Sequence, residues 1–465
     1  MAEEIQESNE LININKLDIS SQPVSLSNRG NKNYEGVAPK LDAIAKVFGN
    51  LYDKDNNPNG LINLGIAENS LLADEILDYY NKNNNINKVD LTYGDSLSCG
   101  QELARAMKVF YNNTLKPLQP FEGKDFIVGV GMSAVISQLA FYLGDVGDGI
   151  LIGTPYYNGF DVDLTAQSQL KPIQVDFSEN VDPISVEGLR YFEKALVESE
   201  KNGTKIRALL TSNPHNPIGY PLSKETLIEY GKFCEKHNIH LISDEIYALS
   251  TFKSSDIQNP PEFISASSIN WYEFNVNPSR VHITVGASKD FGSNGLRIGV
   301  LISQFNQNLI KAMMASSLLM KLSSPSDKMW RTLLSDKKFL DWYIPENQNK
   351  LSESYEFVTS WCKKVGVPYS KACAGFFFMI DLSNWLPTHS RVSGKELKGI
   401  ERVQELTLRM IDNGVLLNAG TNYHHKIHGF YRLTHTLHKD VAQVGLERLE
   451  KTLKDIELES SNKFK

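Results

Sequence analysis

Cysteine is scarce and never clustered in this chain: Cys99, Cys234, Cys362 and Cys373 stand far apart, with no C-x-x-C among them. That spacing excludes a disulfide framework and a cysteine-held metal centre, and it fits a reducing compartment. Basic charge is not in excess either. A formal net charge of -7 is the wrong sign for a nucleic-acid binder, whose positive surface dominates the count. A small or zwitterionic partner is expected instead. No apolar run approaches the roughly 20 residues needed to span a bilayer. The opening MAEEIQESNE is acidic and polar and holds no signal-peptide core, so the expected location is the cytoplasm. Internal repeats are absent too.

What the chain does have is an alternation of short apolar runs with amphipathic stretches. DFIVGVG from Asp125, GILIGTP from Gly149, RALLTSNP from Arg207, IHLISDEIY from Ile239 and RVHITVGASK from Arg280 read as strands. SAVISQLAFYLG and KETLIEYGKFCEKHN between them read as helices. Apolar strands alternating with helices predict a mostly parallel α/β sheet, and in such sheets chemistry gathers beyond the carboxyl ends of the strands. After Gly299 two long helical stretches, QNLIKAMMASSLLMKL and QNKLSESYEFVTSWCKKV, precede the strand-like GFFFMIDL and VLLNAG. A second, smaller α/β domain is expected there, with the long helix between the halves as a hinge. Residues 1–33, rich in Asn, Ser and charge, are expected to form a loose arm.

Four polar segments close these runs or follow them: SNPHNPIGY (Ser212 to Tyr220), SDEIY (Ser243 to Tyr247), SKDFGSNGLRIG (Ser288 to Gly299) and FYRLTH (Phe430 to His435). Taken singly, each has a plainer explanation, such as a proline-rich turn, a solvated lysine or a helix-capping aspartate. In this order and combination, the motifs N-P-x-N-P-x-G, D-x-x-Y, S-K-x-x-G…R-x-G and a late arginine resemble the class I/II aminotransferases, the fold type I enzymes that use pyridoxal 5'-phosphate (PLP). GIAENSL (from Gly65), TPYYNGFDVDL (from Thr154) and SDEIY resemble the 1-aminocyclopropane-1-carboxylate (ACC) synthase branch, and LTYGDSLSCGQELARAM (from Leu91) its fungal type.

The resemblance implies a large PLP domain over 71–325 with a seven-stranded sheet, and a small domain from 34–70 and 326–465. It makes Lys289 the lysine that joins the cofactor as a Schiff base, and Asp244 the carboxylate opposite the pyridine nitrogen. Tyr247 and Asn216 match the partners of the ring's phenolic oxygen. Tyr157, with Tyr156 as the adjacent alternative, matches the stacking aromatic. Met132 and Ser133 after Gly131, together with Ser288 and Arg297, match the phosphate anchors, where helix-start amides and a planar guanidinium suit an anion. Tyr93 matches a tyrosine that reaches the phosphate of the neighbouring subunit's cofactor, which implies a homodimer. Arg432 matches the clamp for a substrate α-carboxylate, and Ala67 and Glu68 in GIAENSL stand where the ACC synthase branch recognises substrate.

Transamination between an amino acid and a 2-oxo acid comes first among the expected reactions. Carbon–sulfur cleavage or an ACC synthase-like elimination is second, and a PLP-fold regulator without turnover is a distant third. The family's usual S-x-S-K is Gly286-Ala287-Ser288-Lys289 here, which removes one hydroxyl. On hydrogen bonds alone, Gly286→Ser would tighten PLP binding by about one order of magnitude. The competing expectation is that the backbone there tolerates only glycine. His424, His425 and His428 in HHKIH suit no common metal geometry and are expected in a solvated loop before Arg432.

Overall fold

The computed structural model describes residues 24–462, and the chain divides into two compact units that part at Gly49. Among its described residues the first unit holds one helix, Asn28–Phe48, whose start is capped by the Ser27 hydroxyl accepting from the Gly30 N–H at 3.1 Å. This helix begins inside the segment expected to be a loose arm. Residues 1–23 of that arm lie outside the described residues.

The second unit is built on a seven-stranded sheet. In chain order its strands are β1 (Phe126–Val130), β2 (Gly149–Gly153), β3 (Lys171–Val175), β4 (Ile206–Ser212), β5 (His240–Asp244), β6 (Val281–Gly286) and β7 (Ile298–Ile302). Across the sheet they run β1-β7-β6-β5-β4-β2-β3. Only β7 opposes its neighbours; it pairs antiparallel with both β1 and β6, while the remaining pairs are parallel. The strands read as nearly unbroken apolar runs because both faces are buried. Successive residues serve opposite faces: Val128, Leu151, Leu209 and Leu241 join one core, and Ile127, Ile150, Leu210 and Ile242 the other.

This topology decides where the site lies. The five parallel strands and β1 end at one edge of the sheet, and reversed β7 begins there. Residues after strand ends 130, 153, 212, 244 and 286 therefore meet a residue before strand start 298.

A third core joins Ile62 and Leu64 to residues from Leu351 onward. Its antiparallel sheet has β8 (Phe377–Asp381), β9 (Asn418–Ala419) and β10 (Phe430–Thr434) in the order β9-β10-β8. The stretch 307–322, expected as one long helix, is broken: Gln307–Met314 is helical and Ser317–Met320 forms only a tight 3-10 turn. The long helix is Lys337–Val365, which starts eleven residues before QNKLSESYEFVTSWCKKV.

Candidate active site

A cavity of about 350 Å³ opens at the carboxyl edge of the large sheet, and Met132, Ser133, Tyr157, Asn216, Asp244, Tyr247, Ser288, Lys289, Arg297, Arg432 and Ala67 all line it. Residues up to 365 positions apart in sequence converge there: most lie at or after strand ends of the large sheet, Arg297 directly precedes β7, Arg432 sits on β10, and Ala67 comes from the segment after Ile62–Asn63.

Lys289 leaves β6 by a three-residue turn, and its Nζ donates to the Ala67 carbonyl at 2.5 Å. Burial pushes this amine down to about 8, helped by the Arg432 and Arg297 cations and opposed by Glu68 and Asp244. Asp244 ends β5 and is 4% exposed. The sheet register sets it beside Thr284, whose hydroxyl donates to Asp244 Oδ1 at 2.9 Å. Burial pushes the Asp244 carboxyl up to about 7 despite that bond: it is a buried acid short of a cationic partner. Tyr247 is buried beside it, and burial raises its phenol well above the ordinary value.

Arg432 forms the far wall. Its Nη1 donates to Asn216 Oδ1 at 2.9 Å and its Nη2 to the Gly65 carbonyl at 2.6 Å. The guanidinium lies between the rings of Phe377 and Tyr423, 4.6 and 4.7 Å from their centroids. Its Nε is buried without a hydrogen-bond partner.

At the opposite end, the helix Met132–Leu143 starts from Gly131 at φ +93° with no side chain capping its amides. A Cβ on Gly131 would fall 2.3 Å from Arg297 Nη2, so glycine lets the guanidinium lie against the helix start. Arg297 itself has φ +55°, and its Nη1 donates to the Asn294 carbonyl at 3.1 Å. Free helix-start amides, the Ser133 and Ser288 hydroxyls and a guanidinium together make an anion cradle.

Close packing also accounts for Gly286. A Cβ there would lie 2.5 Å from the Ile298 carbonyl oxygen, and one on paired Gly299 would lie 2.6 Å from the Gly131 backbone. The expectation that a serine at 286 would simply add a hydroxyl is corrected: β6, β7 and the helix start are stacked through glycines, with no room for a side chain at 286.

Tyr157 faces the cavity, whereas Tyr156 is 1% exposed and belongs to the core. Ala67 contributes its carbonyl to Lys289. Glu68 sits outside the cavity lining, exposed, and accepts from Asn294 Nδ2 at 2.6 Å. Tyr93 is 87% exposed and is not brought to the cavity within one chain. The HHKIH segment is only in part the solvated loop expected from sequence: Lys426, Ile427 and His428 are exposed, but His424 is held by Asp161 and Gln174, and His425 stacks on Phe430.

Sequence reasoning missed several lining residues. Asp163 is 7% exposed, and burial pushes its carboxyl up to about 6 while the Ser133 hydroxyl pulls it back. Asn418 opens β9, and Tyr423 comes from the turn between β9 and β10. The only available signal for Asp163 was its place in GFDVDL, three residues beyond Phe160.

The donor set fits PLP. Lys289 offers an amine that loses its proton readily, Asp244 a buried acid lacking a cation, Tyr157 an aromatic face, and the cradle a place for a phosphate. The volume lies within the range of small-ligand pockets.

Residues 60–449 match the family model described as aminotransferase class I and II. The chain is 30% identical over 413 residues to human 1-aminocyclopropane-1-carboxylate synthase-like protein 1, covering 86% of this chain and 78% of that protein. It is 28% identical to "Probable aminotransferase aclI" of Aspergillus oryzae, covering 94% and 99%. Aspartate aminotransferase from Rhizobium meliloti superposes with a TM-score of 0.71 at 17% identity, over 93% of this chain and 99% of that one. The chain belongs to the class I and II aminotransferases, a PLP-dependent family of fold type I.

Proposed function

We propose that this protein is an aminotransferase that moves an α-amino group between an amino acid and a 2-oxo acid, working as a cytoplasmic homodimer. The observation that carries this reading is that Lys289 and Arg432 open on one cavity, which Asn216, bonded to Arg432, also lines. An amine-handling group and a buried guanidinium on the same cavity suit a ligand bearing both an amino group and a carboxylate.

Lys289, Asp244, Tyr247, Asn216 and Tyr157 would hold the cofactor's ring, and Met132, Ser133, Ser288 and Arg297 its phosphate. When bound, PLP supplies an electron sink for bonds broken at the substrate α-carbon. Asp244 would set its carboxylate against the ring nitrogen and so favour the protonated form there. Lys289 Nζ, with its affinity for protons lowered by burial, can take and return a proton near neutral pH. Arg432 fixes the carboxylate end, held flat between Phe377 and Tyr423. Tyr93, Leu91 and Leu319 lie exposed on the surface, and Tyr93 would complete the partner's phosphate site.

Similarity to the Aspergillus oryzae protein over nearly its whole length supports transamination. A second reading, ACC synthase-like elimination or carbon–sulfur cleavage, is favoured by Glu68 in GIAENSL and by the human relative. Absorbance of the holoenzyme against a panel of amino acids, S-adenosylmethionine and cysteine conjugates separates the two. Transamination requires a 2-oxo acid for repeated turnover and yields its amino acid. Sustained product release without any acceptor would overturn it. For the dimer, mixing inactive Lys289→Ala and Tyr93→Phe subunits is expected to restore activity, and a fully active monomer on sedimentation would contradict it.

A further inference from the structure

Tyr156, Asp161 and His424 form a cluster behind the cavity wall that the cofactor and substrate assignments leave unused. The Tyr156 hydroxyl donates to Asp161 Oδ1 at 2.5 Å, and His424 Nε2 lies 2.8 Å from Asp161 Oδ2. Gln174 Nε2 is 2.9 Å from His424 Nδ1. An amide donor at Nδ1 leaves the ring proton on Nε2, where it points at the carboxylate. The His424 ring also stacks on Tyr156 with centroids 4.5 Å apart. One carboxylate therefore ties the segment after β2 to the turn between β9 and β10, and the Tyr156 N–H donates to the Tyr423 carbonyl at 3.0 Å beside it.

His424 adopts φ +62°, a conformation uncommon for a side chain other than glycine. The residue before it is Tyr423, the ring that covers one face of Arg432, and Asn418 Nδ2 donates to the Tyr423 hydroxyl at 3.1 Å. Asn418 Nδ2 also donates to the Gly65 carbonyl, the same oxygen that accepts from Arg432 Nη2. Moving the 420–424 turn would uncover the guanidinium, whereas Asp244 and Lys289 are held by bonds outside this cluster.

We propose that Tyr156, Asp161 and His424 are positioning residues that lock Tyr423 over Arg432 and thereby set how tightly the site grips a ligand carboxylate. This rests on Arg432 being the carboxylate clamp. None of the three touches the reacting atoms. Their loss should weaken carboxylate recognition and leave the reactivity of the cofactor's aldehyde carbon unchanged.

The test uses holoenzyme and two probes that displace Lys289 from the cofactor with an absorbance change: aminooxyacetate, which carries a carboxylate, and O-methylhydroxylamine, which lacks one. In Asp161→Asn, His424→Gln and the milder Tyr156→Phe, the aminooxyacetate rate should fall about three- to tenfold while the O-methylhydroxylamine rate holds, the scale of one weakened charged contact. Hydrogen exchange at the Tyr156 amide should quicken in the first two. Arg432→Lys serves as reference. If it lowers the rate ratio and the three variants do not, the positioning role is wrong. If Arg432→Lys leaves the ratio unchanged, the carboxylate clamp itself is wrong and the positioning role falls with it.

Discussion

Replacing Gly286 by serine sets a missing hydroxyl against a missing space. The hydroxyl, if well placed on a phosphate, would contribute about 1.5–3 kcal/mol. The space is short: the new Cβ would meet the Ile298 carbonyl oxygen at 2.5 Å and Ile246 Cδ1 at 3.1 Å, where carbon contacts settle at about 3.5 Å or more. Ile298 O accepts the Ala287 N–H at 3.3 Å, and Arg297 directly precedes it. Relief therefore means prising β7 from β6 and shifting the guanidinium that faces the phosphate cradle. Overpacking of this kind costs about 1–3 kcal/mol. Urea unfolding of the cofactor-free protein should show Gly286→Ala and Gly286→Ser destabilised by that amount and nearly equally, since both carry the offending Cβ. Equilibrium dialysis should find PLP bound no more tightly by the serine variant than by wild type. A serine variant with wild-type stability and about tenfold tighter PLP binding would refute the steric reasoning.

Asp244→Asn should retain PLP yet lose most activity, because an amide cannot hold a charge opposite the ring nitrogen; rates within a few-fold of wild type would remove that role. The same variant tests the burial. Asp244 titrates near 7 when folded, above its ordinary 3.8, so the folded state binds the extra proton between those values. Stability of the cofactor-free wild type should therefore fall as pH rises from about 4 to 7, by up to a few kcal/mol from this residue, and Asp244→Asn should flatten that fall; identical pH profiles would contradict it. Lys289, lowered to about 8, predicts that capture of PLP by the cofactor-free protein slows about tenfold per pH unit below 8. A break near the ordinary lysine value would show the amine is not desolvated.

Strand ends were legible because parallel strands buried on both faces leave apolar runs that stop at polar residues. Asp244, Asn216 and Lys289 stand where such runs end. Two strands left weaker marks. β3, KPIQV, is an edge strand that carries a proline and polar residues, and β7 follows the SKDFGSNGLR loop so closely that its five residues read as the end of a motif. Yet β7's reversal is what brings Arg297 to the cavity. The roles of Tyr423, Asn418 and the Asp161–His424 pair were illegible because tertiary packing brings the end of the small sheet, the turn between β9 and β10 and the helix after β2 together, with no periodicity or motif to mark the contacts. The stacking of Gly131, Gly286 and Gly299 involves glycines up to 168 positions apart, and only the antiparallel register of β6 with β7 brings the last two together.

The central claim is that Lys289, half-buried in the cavity that Asp244 and Arg432 also line, carries the cofactor. Borohydride reduction of the yellow holoenzyme, followed by proteolysis and mass spectrometry, measures this directly. A pyridoxyl group on Lys289, in the peptide containing Ser288 and Asp290, is the predicted result. A trapped group on any other lysine, with Lys289 unmodified, would contradict it.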